Sequence, residues 1–259
     1  MKKIFAIVLV MTMCVNGLGI HAQELYSEEM ARTFLVHEGI LDTSDNVQVS
    51  YARVGGEYAI QTVRSLEEHN FETTVTIAYS IMEDGQLVRN DIRPMSDIVG
   101  EHHEKGIYIT AKMSYSLYTR YYDAKPYKIA YISPYALSVT VTGPSDLSIS
   151  YMNARLLAAG FTYPFPDCLY WGESIDTTQY IIDSNGYNME FSRTNPTPGV
   201  VYSETQFMPS NRILGISEYG VLHIIYADVA VETNKGNIPF SEIDFGYALK
   251  LPGTELWNL

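Results

Sequence analysis

The stretch Ile107–Tyr118, with the sequence IYITAKMSYSLY, decides the fold because large apolar side chains alternate with mostly polar ones along it. The odd positions carry Ile107, Ile109, Ala111, Met113, Tyr115 and Leu117. The even positions carry Tyr108, Thr110, Lys112, Ser114, Ser116 and Tyr118. A period of two is that of a β-strand with one face in the core. We expect a long strand over 107–122, with room for a bulge within it.

The same alternation extends outward along the chain. It runs from Phe71 to Met82, and the pair Asp84 and Gly85 that follows favours a type I′ hairpin turn into a strand that ends near Ile92. A further strand is predicted up to Thr142, where Gly143 and Pro144 end it. Strands joined by hairpins indicate antiparallel pairing.

Two more strand signals lie in the second half. Asn185 and Gly186 stand between the apolar runs 180–182 and 187–191, which predicts a second hairpin. The run from Val221 to Val231 is apolar on both faces apart from His223 and Asp228, as in a central strand.

Helices are few. Ser27 followed by Glu28 and Glu29 predicts a short N-terminal helix that runs to about Glu38. A second short helix is a candidate over 152–159. The predicted fold class is therefore mainly β, an antiparallel β-sandwich with one short N-terminal helix and this one further candidate.

The N-terminus has the pattern of a secretory signal peptide over residues 1–22. Lys2 and Lys3 precede an apolar run over 4–15, and Ala22 and Gln23 form the expected cleavage site. The run is shorter than the roughly 20 residues of a membrane-spanning helix. We therefore expect export to the periplasm, the outer-membrane surface or the extracellular medium, with no integral membrane span after cleavage.

The mature chain, residues 23–259, is predicted to be all-β. It is long enough for one large domain or for two β subdomains. The two subdomains would cover about 40–143 and 178–259, joined by a helix and an aromatic loop over 151–177. The sequence leaves this choice open.

Charge and cysteine content bear on the expected partners and on disulfide bonds. The chain has 17 basic and 30 acidic residues, a formal charge of −13, and cleavage would also remove Lys2 and Lys3. Without a cluster of basic residues, nucleic acid is not an expected partner. Cleavage would also remove Cys14, so no disulfide could form within one mature molecule, and we expect Cys168 to be buried.

Residues 161–172 form a segment rich in aromatic side chains and proline. Its candidate ligand-binding residues are Tyr163, Phe165, Tyr170 and Trp171. Rings held on a stiff segment suit a glycan or a protein or peptide ligand. The alternative is that they cover the open end of the sandwich.

No catalytic residue, metal ligand or cofactor is predicted. The sequence EHHE over 101–104 lacks the spacing of a zinc motif, and the acidic turns over 42–46 and 183–186 lack that of a calcium loop. Neither Cys168 with a distant histidine nor the acidic pair Glu173 and Asp176 stands out as catalytic.

The Lys-Lys start, the Ala22 cleavage site and the tyrosine-rich alternating strands resemble exported all-β proteins of unknown function from Bacteroidetes-type bacteria. The stretches 213–222 and 244–250 are similar in style to such families. The resemblance implies a cell-envelope setting and transfers no functional residue. Whether the chain is an enzyme stays open. The sequence favours a non-enzymatic binding or envelope-associated structural protein, and the alternative is an extracytoplasmic hydrolase acting on glycan or peptide.

Overall fold

A computed structural model describes the chain over 32–33, 35–36, 41–42, 47–54, 57–67, 69–90, 106–121, 128–170, 181–205, 208–217 and 224–244. Its strands are β1 (Gln48–Val54), β2 (Glu57–Ser65), β3 (Asn70–Ile81), β4 (Leu87–Asn90), β5 (Gly106–Tyr121), β6 (Lys128–Thr142), β7 (Ile149–Pro164), β8 (Ile181–Thr194), β9 (Tyr202–Thr205), β10 (Arg212–Ser217), β11 (Ile224–Thr233) and β12 (Gly236–Asp244). A short 3-10 helix covers Asp167–Tyr170. The mainly β prediction is confirmed.

The strands pair antiparallel and form two facing layers, as predicted for a sandwich. The first layer has the order β1-β2-β3-β5-β6, with β4 beside β3 and β9 beside β6. The second has the order β12-β11-β7, with β8 on the other side of β7. Strand β10 pairs with both β6 and β7 and so joins the layers at one corner.

The structure of β5 confirms that its apolar side chains face the core and alternate with side chains on the other face, as predicted. Its odd-numbered side chains from Ile107 to Leu117 are all buried in the core between the layers. Burial raises the pKa of the Tyr115 phenol to about 12, and its oxygen lies 3.1 Å from the hydroxyl of Thr73. A bulge was expected within this strand, but the extra residue is Tyr135 of the partner strand β6, opposite Ser114 and Tyr115.

The second predicted helix, over 152–159, is wrong, because these residues belong to β7. Alanine, leucine and arginine favour helices, but propensity is a weak prior that tertiary pairing overrides. Here β7 lies between β8 and β11, and every second side chain faces the core. The core-facing residues are Met152, Ala154, Leu156 and Ala158.

The first predicted hairpin is confirmed between β3 and β4, but its turn type differs. Only Gly85 has a positive φ, of 80°, and its N–H donates to the carbonyl of Met82 at 2.8 Å. Because a type I′ turn needs two residues with positive φ, this is instead a three-residue loop with glycine in the left-handed position.

The second predicted hairpin is wrong. Asn185 and Gly186 lie inside β8, which runs on through them. The register against β7 shifts between the pairs Ala158 with Tyr187 and Gly160 with Asp183, so the Asn-Gly pair forms a bulge. The central strand predicted from Val221 is confirmed as β11, which has β7 and β12 as neighbours.

The N-terminal segment lies against the outer face of the first layer. Arg32, Thr33, Leu35 and Val36 are helical; the rest of the predicted helix, and the signal peptide, lie outside the described residues. Leu35 is buried with Leu41 and Val47 against side chains of β2 and β5. No helix in the described ranges has the length and apolarity to cross a membrane. The choice between one domain and two stays a prediction.

A hydroxyl-lined pocket as the candidate functional site

The outer face of the first layer carries two parallel rows of polar side chains. The first row crosses β2, β3, β5 and β6 and the second crosses β3, β5 and β6, because the pairing register aligns alternate residues of these strands. One row contains Thr62, Thr74, Lys112 and Ser138, and the next contains Thr76, Thr110 and Thr140. The rows are the floor of a pocket of about 230 Å³, which we call the hydroxyl pocket.

Apolar side chains form the walls of the hydroxyl pocket. Leu35, Leu41 and Val47 come from the N-terminal segment, and Val201 is the residue just before β9. Val201 is 60% exposed, so it forms part of the rim. The pocket is somewhat smaller than the roughly 300–1,000 Å³ of sites for drug-sized ligands, and fits a small group or one unit of a chain.

The hydroxyls of the floor have capacity for a ligand. The Thr76 and Thr110 oxygens lie 3.3 Å apart in a hydrogen bond. Within the described chain, the hydroxyls of Thr62, Thr74 and Thr140 form no hydrogen bond. Because a hydroxyl is both donor and acceptor, the floor can donate hydrogen bonds to the hydroxyls of a bound molecule or accept hydrogen bonds from them.

An ion pair borders the rows. Lys112 Nζ lies 2.9 Å from Glu72 Oε1, and the Ser114 hydroxyl donates to the same oxygen at 3.4 Å. The two side chains are 35% and 17% exposed, so a ligand can reach them. Arg64 also lines the pocket. The site therefore offers donors and acceptors of both charges at the edge of a neutral floor.

Two of the predicted aromatic residues, Tyr163 and Phe165, lie at the other end of the same outer face. Tyr163 is half-buried in β7, and its ring meets the ring of Tyr131 edge-on with centroids 5.6 Å apart. The ring passes over Gly215 of β10, where an added Cβ would stand 2.3 Å from Tyr163 Cε2. A glycine suits this position because the ring occupies the space that a side chain would take.

Phe165 extends this cluster. It follows β7 directly and packs, together with Leu169, on the buried residues Tyr131, Cys168 and Ile213. The burial expected of Cys168 is confirmed. The described part of the aromatic segment thus covers the end of the layer, while Tyr163 and Phe165 stay half exposed. Their role in ligand binding stays a prediction; the Tyr170 side chain and Trp171 lie outside the described residues.

Three rings form what we call the aromatic row. The ring of Tyr118 lies 5.2 Å from that of Phe165 and 4.7 Å from that of His69, measured between centroids. His69 is exposed, and the other two are half-buried. Tyr118 is on the same face of β5 as Lys112, because the two are an even number of residues apart.

The other residues weighed from the sequence do not add to the site. Residues 101–104, Glu173, Asp176 and His223 lie outside the described residues. In the acidic turn over 183–186, Asp183 pairs with Gly160 and 184–186 form the bulge of β8. The described ranges hold no group of three or more side chains of His, Cys, Asp or Glu that could hold a metal ion. Sequence reasoning missed the pocket, although Thr74, Thr76 and Thr110 were visible as polar positions of strands.

Comparison of the chain with family models, with curated proteins and with solved structures finds no match.

Proposed function

We propose that this chain is an exported, non-enzymatic binding protein that takes a neutral glycan in the hydroxyl pocket. The observation that carries the proposal is the pair of hydroxyl rows on the outer face, walled by apolar side chains. A sugar ring presents hydroxyls around its edge and C–H groups on its faces. The floor suits the hydroxyls, and Leu35, Leu41 and Val201 suit the C–H groups.

The charge around the pocket supports a neutral ligand. Lys112 and Arg64 carry positive charges, and Glu72 and Glu67 carry negative ones on the same face of the layer. Neither sign dominates there, so the charged side chains at the site itself favour neither an anion nor a cation. The charged groups act as strong hydrogen-bond partners for hydroxyls instead.

The signal-peptide pattern over residues 1–22 supports export to the periplasm, the outer-membrane surface or the medium. The resemblance to exported all-β envelope proteins points the same way. Polysaccharides are abundant in these compartments, so a glycan ligand is available to the protein there.

Binding of neutral oligosaccharides to the mature protein tests the proposal, by isothermal titration calorimetry after a glycan-array screen. The informative variant is Thr76→Val with Thr110→Val, which removes two floor hydroxyls and keeps the side-chain shape. Thr76 is 2% exposed and bonds to Thr110, so the pair offers a ligand one hydrogen bond; at about 1 kcal/mol, affinity should fall about fivefold. The matched control is Thr142→Val, which lies on the same strand as Thr140 but outside the pocket. Its affinity for the oligosaccharide should equal that of the wild type.

Three outcomes would contradict the proposal. One is the absence of binding to every neutral glycan on the array. Another is unchanged affinity in the Thr76→Val, Thr110→Val protein. The third is release of shorter sugars during long incubation, because that would make the chain a glycan hydrolase.

A further inference from the structure

The hydroxyl pocket and the aromatic row are two ends of one continuous surface. Lys112, Ser114, Ser116 and Tyr118 alternate along the outer face of β5. At about 3.3 Å per residue, Lys112 and Tyr118 are roughly 20 Å apart along the strand. This distance exceeds the size of the pocket, so a ligand that touches both ends must be a chain.

The surface between the ends is polar and carries one further ring. The Ser116 hydroxyl donates to Asn70 Oδ1 at 2.8 Å, and the Asn70 amide donates to Glu67 Oε2 at 3.2 Å. Tyr135, the bulge residue of β6, is 37% exposed. Partial burial raises the pKa of Tyr135, and the carboxylates of Glu72 and Glu67 raise it further.

The structure holds the aromatic row in a defined place. Phe165 and Tyr163 both pack on the buried cluster that contains Cys168 and Ile213, and Tyr163 also lies close to Gly215. Tyr118 is fixed by β5 between its neighbours β3 and β6. Rings held in this way lose little side-chain entropy when a ligand stacks on them.

We propose that the ligand is a linear neutral glycan of several sugar rings that lies along β5, with one end in the hydroxyl pocket and a distal ring stacked on Tyr118 and Phe165. This inference rests on the proposed function and names its substrate class. A peptide fits less well, because extended peptides add to the edges of sheets through main-chain hydrogen bonds, whereas this surface is a sheet face.

The length dependence of affinity tests the inference. The probes are size ladders of cello-, malto- and laminari-oligosaccharides, from disaccharide to hexasaccharide, titrated into the mature protein. Affinity should rise with chain length by tenfold or more for the ladder that fits. In the variant Phe165→Ala this rise should shrink at least threefold, while disaccharide affinity stays the same.

Conservative variants separate stacking from folding. Phe165→Tyr and Tyr118→Phe keep the rings and should keep the length dependence, which a general loss of structure would not allow. If disaccharides bind and longer chains bind no better, or if Phe165→Ala leaves the length dependence intact, the extended site is overturned and the pocket stands. If Thr76→Val with Thr110→Val has no effect either, the pocket is overturned as well.

Discussion

The hydroxyl pocket of the first layer and the outer face of the second layer use polar side chains differently. On the first layer, threonine and serine hydroxyls line a pocket, and several of them have no hydrogen bond within the described chain. On the second layer, charged and amide side chains bond to one another. Asn153 donates to Glu190 Oε1 at 2.8 Å and to Ser192 Oγ at 3.0 Å, and Tyr151 donates to the same Ser192 oxygen.

The strongest contact of the second face joins Arg155 of β7 to Asp228 of β11. Both Nε and Nη2 of Arg155 donate to Asp228 Oδ2, and Nε does so at 3.1 Å. This pair raises the pKa of Arg155, chiefly through the hydrogen bonds. Polar groups that satisfy one another stabilise the fold and have little to offer a ligand, whereas the hydroxyls of the first face contribute less to stability and remain available.

The largest expected effect follows from breaking the second-face pair. Asp228→Ala leaves Arg155 without its carboxylate, and Asp228 is only 7% exposed. Loss of one partner of a buried pair costs about 3–5 kcal/mol, and the Arg155 side chain, 38% exposed, can move partly into water. We expect the free energy of unfolding, measured in urea, to fall by about 2–3 kcal/mol.

The double variant Arg155→Met, Asp228→Leu is the control, because it removes both charges and should recover most of the loss. If Asp228→Ala lowered the free energy of unfolding by less than about 0.5 kcal/mol, this pair would contribute little to the stability of the second face. Glycan binding should not change in either protein.

A smaller effect is expected at the aromatic end of the first face. Gly215→Ala pushes a methyl group against the Tyr163 ring and should cost about 1–2 kcal/mol. In a Tyr163→Ala background the same change should cost much less, since the ring is no longer there. Equal costs in both backgrounds, from thermal or urea unfolding, would refute the close packing of this ring.

The ion pair beside the pocket should matter less. Glu72→Gln removes one charge of a partly exposed pair and should lower stability by less than about 1 kcal/mol. Urea unfolding at low and high salt measures this, and the difference between wild type and variant should narrow at high salt because ions screen the pair. If Glu72→Gln lowered the free energy of unfolding as much as Asp228→Ala, the ion pairs of the two faces would contribute equally to stability, and this comparison would fail.

The smallest change in stability is expected from Thr76→Val with Thr110→Val. Replacing both partners of a hydrogen bond by apolar groups of the same shape is nearly neutral, so stability should stay within about 0.5 kcal/mol. Equal urea midpoints together with weakened glycan binding would place these hydroxyls in ligand binding. A large destabilisation would instead mean that these hydroxyls stabilise the fold, as the bonded polar side chains of the second face do.

The sequence predicted the strands whose alternation is strict and whose faces differ in polarity, such as β3 and β5. It failed where local signals conflicted with pairing partners far along the chain. The helix-favouring residues from Met152 to Ala159 form a strand because β8 and β11 pair with them on both sides. Asn185 and Gly186 form a bulge because β8 continues along β7.

The site was less predictable than the fold. Each threonine of the pocket could be assigned to the polar face of a strand, but a pocket exists only because the register aligns four strands and the N-terminal segment covers one side. Register and strand order are set by contacts distant in sequence. The aromatic segment was recognised by composition alone, and its partners Tyr118 and His69 are far from it in the chain.

Strand β10 has a consequence for the order of events during folding. The first layer grows mostly from neighbours in the sequence, β1 with β2, β2 with β3, and β5 with β6, which can pair early. Strand β10 needs both β6 and β7 in place before it can bond to them. The corner at β10, where Phe165 packs, should therefore be completed late, and the backbone amides of β10 should acquire hydrogen-exchange protection after those of β3 and β5.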